Sequence, residues 1–229
     1  MPFDLDRVVP WGRCFDEYAR MFALADAELS GRILGCGDGP ASFNCEATAR
    51  GHAVVSCDPI YACSAEEIER RVRETSEVIL SETRRNRDDF AWTYFRSVEE
   101  LGEVRLRAMR RFVEDFARGK RAGRYVEASL PALPFADREF DLALSSHFLF
   151  LYSGQLSLDF HVASILEMCR VATEARVFPL LQIGGARSPH LDGVVEALGG
   201  RGLEVEIVKV PYEFQRGGDR MLRVVAPAG

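Results

Sequence analysis

The sequence predicts one α/β domain: a seven-stranded, mostly parallel sheet flanked by helices, with a helical insertion after the second strand. Three observations carry that expectation. A short apolar run, Arg32-Ile33-Leu34, enters a loop with glycine at every second position, Gly35-Cys36-Gly37-Asp38-Gly39-Pro40. A helix-like segment follows, and then a second apolar run, Val54-Val55-Ser56-Cys57, which ends in the carboxylate of Asp58. The next strand-like stretch comes only at Tyr125-Val126-Glu127-Ala128, far beyond what a plain connection between parallel strands needs. Strand, glycine-rich turn, helix and acid-ended strand are the layout of a nucleoside-binding half of an open α/β sheet.

Each element has a local signal. Residues 1–11, with Pro2, Pro10 and Trp11, read as irregular and extended. Over 14–27, Phe15, Tyr18, Phe22 and Ala25 fall on one face at helical spacing, and Ser30-Gly31 stops the helix. Residues 1–30 thus form an N-terminal helical cover. The first strand is expected at 32–35. The helix after the glycine loop starts at Pro40, which suits a first helical position, and ends at Arg50-Gly51. The second strand is 53–57. The insertion covers 62–124. Ser64-Ala65-Glu66-Glu67 is a capping box, and Ile68, Val72 and Ile79 make a helical stripe to Arg85. Ser97-Val98-Glu99-Glu100 is a second box, followed by a stripe of Leu101, Val104, Ala108, Phe112 and Phe116 that ends near Gly119. Between the two lies an aromatic segment with Phe90, Trp92, Tyr94 and Phe95, read as core or as a lid with Trp11. The fourth strand is expected at 140–145, a helix at 159–171 and the fifth strand at 176–181. Ser188-Pro189 opens a helix that closes at Gly199-Gly200. Residues 204–210 and 221–226 flank Gly217-Gly218 and read as a hairpin.

The chain has 229 residues, 47% hydrophobic and 28% charged, which suits one large soluble domain. A net charge of −6 argues against nucleic acid as a partner, since that class shows a basic footprint. The arginines between Arg70 and Arg111, Arg105 included, alternate with Glu and Asp at spacings that pair along a solvated helix face. The six cysteines form no CxxC pair and have no histidine at metal spacing, so they read as reduced thiols, and no metal is expected. No basic segment followed by an apolar one opens the sequence, and no apolar run is long enough to span a membrane. A cytoplasmic protein without a membrane partner is expected, and a homodimer is compatible with the sequence.

The glycine loop does not fit a dinucleotide fingerprint. Counted from Gly35 the third glycine position holds Pro40, and counted from Gly37 it holds Ser42. With Asp58 at this spacing, Gly35-x-Gly37-x-Gly39 instead resembles motif I of the class I S-adenosylmethionine-dependent methyltransferases. Leu133-Pro134-Phe135 with Phe140-Asp141-Leu142 resembles the segment that leads into the fourth strand of that family, and Glu167-Met168-Cys169-Arg170-Val171 is similar to the motif of its next helix. The matches run from about residue 30 to residue 185 and look like a bacterial branch whose members are uncharacterised.

The resemblance implies a Rossmann-like methyltransferase fold that binds S-adenosyl-L-methionine and releases S-adenosyl-L-homocysteine. It implies a cofactor site made of Gly35, Cys36, Gly37, Asp38 and Gly39, of Asp58 on the ribose with Pro59 beside it, of Ser129 and Leu130 near adenine, and of Ser145 and Ser146 facing the methyl group. His147 and Tyr152 are the candidates for catalysis, with His161 behind them. Two positions depart from the family. Ile33 stands where an acid usually holds the methionine end, a role that Asp38 could take over. Ser129 stands where an aspartate usually meets the adenine amine, with Glu127 as another candidate. The sequence shows no module for a protein or nucleic-acid acceptor, so the expected acceptor is a small molecule. Two other readings stay open: a binding protein that keeps the fold without catalysis, and a nicotinamide-dependent oxidoreductase.

Overall fold

The fold is described from a computed structural model over residues 10–226. The extended reading of residues 1–9, Pro2 among them, lies outside the described residues. Seven strands, β1 (Arg32–Cys36), β2 (Ala53–Cys57), β3 (Tyr125–Val126), β4 (Phe140–Ser146), β5 (Ala172–Phe178), β6 (Glu204–Lys209) and β7 (Arg220–Val225), form one sheet in the order β3-β2-β1-β4-β5-β7-β6. All neighbours are parallel except β7, which runs antiparallel to both β5 and β6. The helices are α1 (Phe15–Met21), α2 (Asp26–Leu29), α3 (Phe43–Ala49), α4 (Ala65–Arg85), α5 (Val98–Arg121), α6 (Leu158–Val171) and α7 (Leu191–Gly199). The chain steps outward from β1 to β2 and β3, then crosses to β4 on the other side of β1. The strand order therefore reverses between β1 and β4, and the crevice beyond their carboxyl ends is where open α/β sheets take ligands.

Alternation along the strands builds a core on each face. Leu34 joins Phe140, Ile165, Met168 and Val177 on one side. Ile33 joins Tyr18, Phe22, Phe43 and Leu144 on the other. The departure at Ile33 thus has a structural counterpart: the side chain is fully buried under α1 and α3.

Several boundaries differ from expectation. The single helix read over 14–27 is two, because the chain breaks at Phe22–Ala25 with Ala23 at φ 46°. The carbonyl of Phe22 accepts a 2.6 Å hydrogen bond from Arg176, a distant residue that no local pattern announces. The helix after the glycine loop starts at Phe43 rather than Pro40; the Ser42 amide instead donates to the Arg13 carbonyl and ties the loop to the N-terminal segment. β3 keeps only two residues of the expected four. β5 begins four residues early and stops at Phe178, since Pro179 has no N–H for the ladder.

The insertion is an antiparallel pair of long helices. Ser64 and Glu67 cap α4 reciprocally, as expected. At α5 only half of the second box forms: Ser97 accepts from the Glu100 amide, while the Glu100 carboxylate holds the Arg96 amide and guanidinium. The aromatic segment between the helices is no free-standing flap. The Ala91 amide donates to the Phe214 carbonyl at 2.7 Å, the Arg216 amide donates to the Asp89 carbonyl, and the Phe90 ring stacks on Phe214 at 4.8 Å. The segment is therefore joined to the loop between β6 and β7. Phe95 is buried there as plain core, whereas Trp92 stays half-exposed. Among the described residues no helix is long and apolar enough to cross a membrane.

Candidate functional site

The loop after β1 is shaped by contacts that leave little freedom. Asp38 folds back against β1, so a Cβ on Gly35 would lie 1.8 Å from its carboxylate. The Asp38 oxygens accept from the Tyr18 hydroxyl at 2.8 Å and the Ser56 hydroxyl at 2.6 Å. Burial pushes this carboxyl up to about 6 against the pull of both hydrogen bonds. Gly37 lies in the left-handed region at φ 69°, and a Cβ there would meet the Phe148 ring at 3.1 Å.

Asp58 binds the loop from β2. One carboxylate oxygen accepts from the Gly39 amide and the other from the Ile60 amide, both at 2.8 Å. The residue is thus the cap of the turn at Pro59–Ala62. Capping does not exhaust it, because each oxygen keeps a second lone pair. Burial raises its pKa above the usual carboxylate range.

Two cavities open at the switch point. The polar one, about 690 Å³, is lined by Gly37, Asp38, Gly39, Asp58, Pro59 and Ser146, with Thr75 of α4 opposite. Its size is that of a nucleoside-scale ligand site. The second, about 130 Å³, has walls of Leu101, Leu151, Phe178 and Phe214, with Tyr152 and Arg105. Trp11, Arg13 and His147 line both. His147 sits just past β4 at φ 53°, a strained backbone of the kind that collects at functional sites. Its amide donates to the Phe178 carbonyl and its Nδ1 lies 2.9 Å from the Ser146 hydroxyl. Burial, reinforced by the charges of Arg13 and Arg105, holds its pKa well below the usual histidine value, so the ring is neutral at pH 7.

The other residues singled out in the sequence stand apart from the polar cavity. Gly35 and Cys36 lie inside β1, with Cys36 packed beside Cys57. Ser145 is buried within β4. Beyond β3 the chain turns, Ser129 bridges to Ala132 at the surface, and Leu130 enters the core under β1. Glu127 is exposed. Tyr152 is buried and faces the apolar cavity alone. His161 is fully buried between the carbonyls of Ser157 and Leu149.

Sequence reasoning missed the charged floor. Arg105 is not on the solvated face: it is 1% exposed and pairs with the fully buried Glu17 of α1. Burial alone would lower the Arg105 pKa and raise that of Glu17, but each is overruled by its partner, so both stay ionised. Tyr212 donates to the second Glu17 oxygen at 2.8 Å. The signal was present in the spacing, since Leu101, Arg105, Ala108 and Phe112 share one helix face. Arg70, Arg73, Arg84 and Arg85 do pair with glutamates at the surface, as read.

No family model matches the chain. A relative, the uncharacterised protein MJ0045 of Methanocaldococcus jannaschii, is 34% identical over 220 residues, which are 96% of each chain. Among solved structures, a TehB-like S-adenosylmethionine-dependent methyltransferase of Corynebacterium glutamicum is 16% identical, with 93% of this chain and 88% of that one covered and a TM-score of 0.49. The magnesium protoporphyrin IX methyltransferase of Synechocystis, solved with its cofactor bound, is 13% identical, with 90% and 75% covered and a TM-score of 0.46.

Proposed function

The chain belongs to the family of that archaeal protein, and we propose from the site's geometry that it transfers a methyl group from S-adenosyl-L-methionine to a small molecule. One observation carries the reading: a polar cavity with a glycine loop and a carboxylate meets an apolar cavity at Trp11, Arg13 and the neutral His147, at the point where the strand order reverses. The polar cavity takes the cofactor. Asp58 accepts the ribose hydroxyls on its remaining lone pairs. Gly37 and Gly39 bring backbone close to the ligand. The methionine ammonium meets Asp38, which lines the cavity and keeps a second lone pair on each oxygen beside its bonds from Tyr18 and Ser56, since Ile33 points away. Ser129 and Leu130 lie outside the cavity lining, so the adenine is held by other residues, with Pro59 and Ile60 at hand.

The cofactor supplies an electrophilic methyl group on a sulfonium; the protein supplies alignment and a dry pocket. Trp11 and the aromatic wall shield the apolar side from water. His147 stands between the two ligands. A histidine with so low a pKa is a weak base, so it accepts a proton only from an acceptor that gives one up readily, and otherwise it orients the acceptor by hydrogen bonding. Calorimetry tests the reading: S-adenosylhomocysteine is expected to bind at one site per chain and NADH not at all. NADH binding would favour the oxidoreductase instead.

A further inference from the structure

We infer that the acceptor is a compact, single-ring carboxylate, and that Arg105, with Arg13 beside it, receives its charge. The inference deepens the methyl-transfer reading and rests on it. An apolar cavity of about 150 Å³ admits one benzene ring. The cavity here is of about that order, 130 Å³, and its walls are aromatic and aliphatic. Its floor is charged. Arg105 and Arg13 both reach it, and among the described residues the carboxylate buried against both is Glu17. Asp89 lies at the exposed rim. His147 is neutral and Tyr212 spends its proton on Glu17. Among the described residues, two cations thus share one anion below the cavity.

The arginines show the imbalance. Among the described residues, the Nε of Arg105 and the Nε of Arg13 are buried without a hydrogen-bond partner. Burial and the repulsion of Arg105 pull Arg13 down to about 10. A buried cation without a counter-charge is costly, and an entering anion removes that cost. A planar carboxylate matches the guanidinium fork. Arg13 borders both cavities. Arg105 borders only the apolar one, which makes it the residue specific to the acceptor.

Benzoate and the uncharged, isosteric benzamide are the probes, titrated into protein saturated with S-adenosylhomocysteine. Benzoate is expected to bind about 10-fold or more tightly than benzamide, the scale of a charge-assisted pair. Arg105→Met removes the excess cation and leaves Glu17 beside Arg13, whose charge it already stabilises. It is expected to lose the benzoate preference and keep its benzamide affinity. Arg13→Met, which leaves Glu17–Arg105 intact, is expected to weaken the preference. Failure of benzoate to bind wild-type protein, equal binding of the two probes, or a preference that survives in both variants overturns the inference. The same titrations read cofactor affinity. Binding of S-adenosylhomocysteine without a benzoate preference sinks the carboxylate and leaves methyl transfer standing. An arginine-dependent preference in protein that does not bind S-adenosylhomocysteine keeps the anion site and sinks methyl transfer.

Discussion

Gly37→Val is expected to abolish S-adenosylhomocysteine binding, a loss of at least about 100-fold in affinity. Two effects add. Gly37 holds φ 69°, where an L residue costs roughly 1–2 kcal/mol and a β-branched one is a true outlier. The new Cβ would also start 3.1 Å from the Phe148 ring, and the second branch of valine needs more room still. Phe148 lines the polar cavity, so moving it disturbs the wall as well as the loop. Gly37→Ala brings the same strain without the branch and is expected to fall between valine and wild type. Calorimetry on variants shown to be folded by circular dichroism makes the comparison. Normal affinity in the Gly37→Val protein would mean that the loop is a structural turn and the ligand sits elsewhere.

The second large effect is on stability. Glu17→Ala strips Arg105 of its counter-ion in a site where the arginine is 1% exposed. Breaking one side of a buried pair typically costs about 3–5 kcal/mol. For a domain of this size that is a fall in Tm of roughly 6–20 °C. The loss is compounded because Tyr212 and the Cys14 amide also donate to this carboxylate. The neutral double variant Glu17→Gln/Arg105→Met is expected to recover part of the stability, since Arg105 is no longer stranded while Arg13 still loses the Glu17 charge. Differential scanning calorimetry at pH 7 separates the cases. A Glu17→Ala change below about 1 kcal/mol would show that water reaches Arg105, and the charged floor would then carry no excess field.

What was legible in the sequence was local. The glycine loop, the β2 terminus at Asp58 and the two insertion stripes each depend on neighbours within a few residues, and their periodicity survives folding. The α4 boundaries match the structure because both the cap at Ser64 and the end at Arg85 are set by adjacent side chains. The break at Phe22 was not legible, because the residue that donates to the broken helix end is Arg176 on β5. Arg105 misled for a related reason. Its charge suggested solvent, its position on the stripe suggested core, and only a glutamate 88 residues away decides between them. Ser129 and Leu130 were placed by resemblance. The early end of β3 turns that segment away from the cavity.

The measurement closest to the central claim is the affinity of S-adenosylhomocysteine for wild-type protein and for Asp58→Ala, side by side. Charge-assisted bonds from a carboxylate to a diol are worth roughly 1.5–3 kcal/mol. The variant should therefore bind about 10- to 100-fold more weakly. It also loses the links to the Gly39 and Ile60 amides, a cap-sized cost of about 1 kcal/mol that should lower Tm without unfolding the chain. A folded Asp58→Ala protein that binds S-adenosylhomocysteine as tightly as wild type would contradict the placement of the cofactor in this cavity.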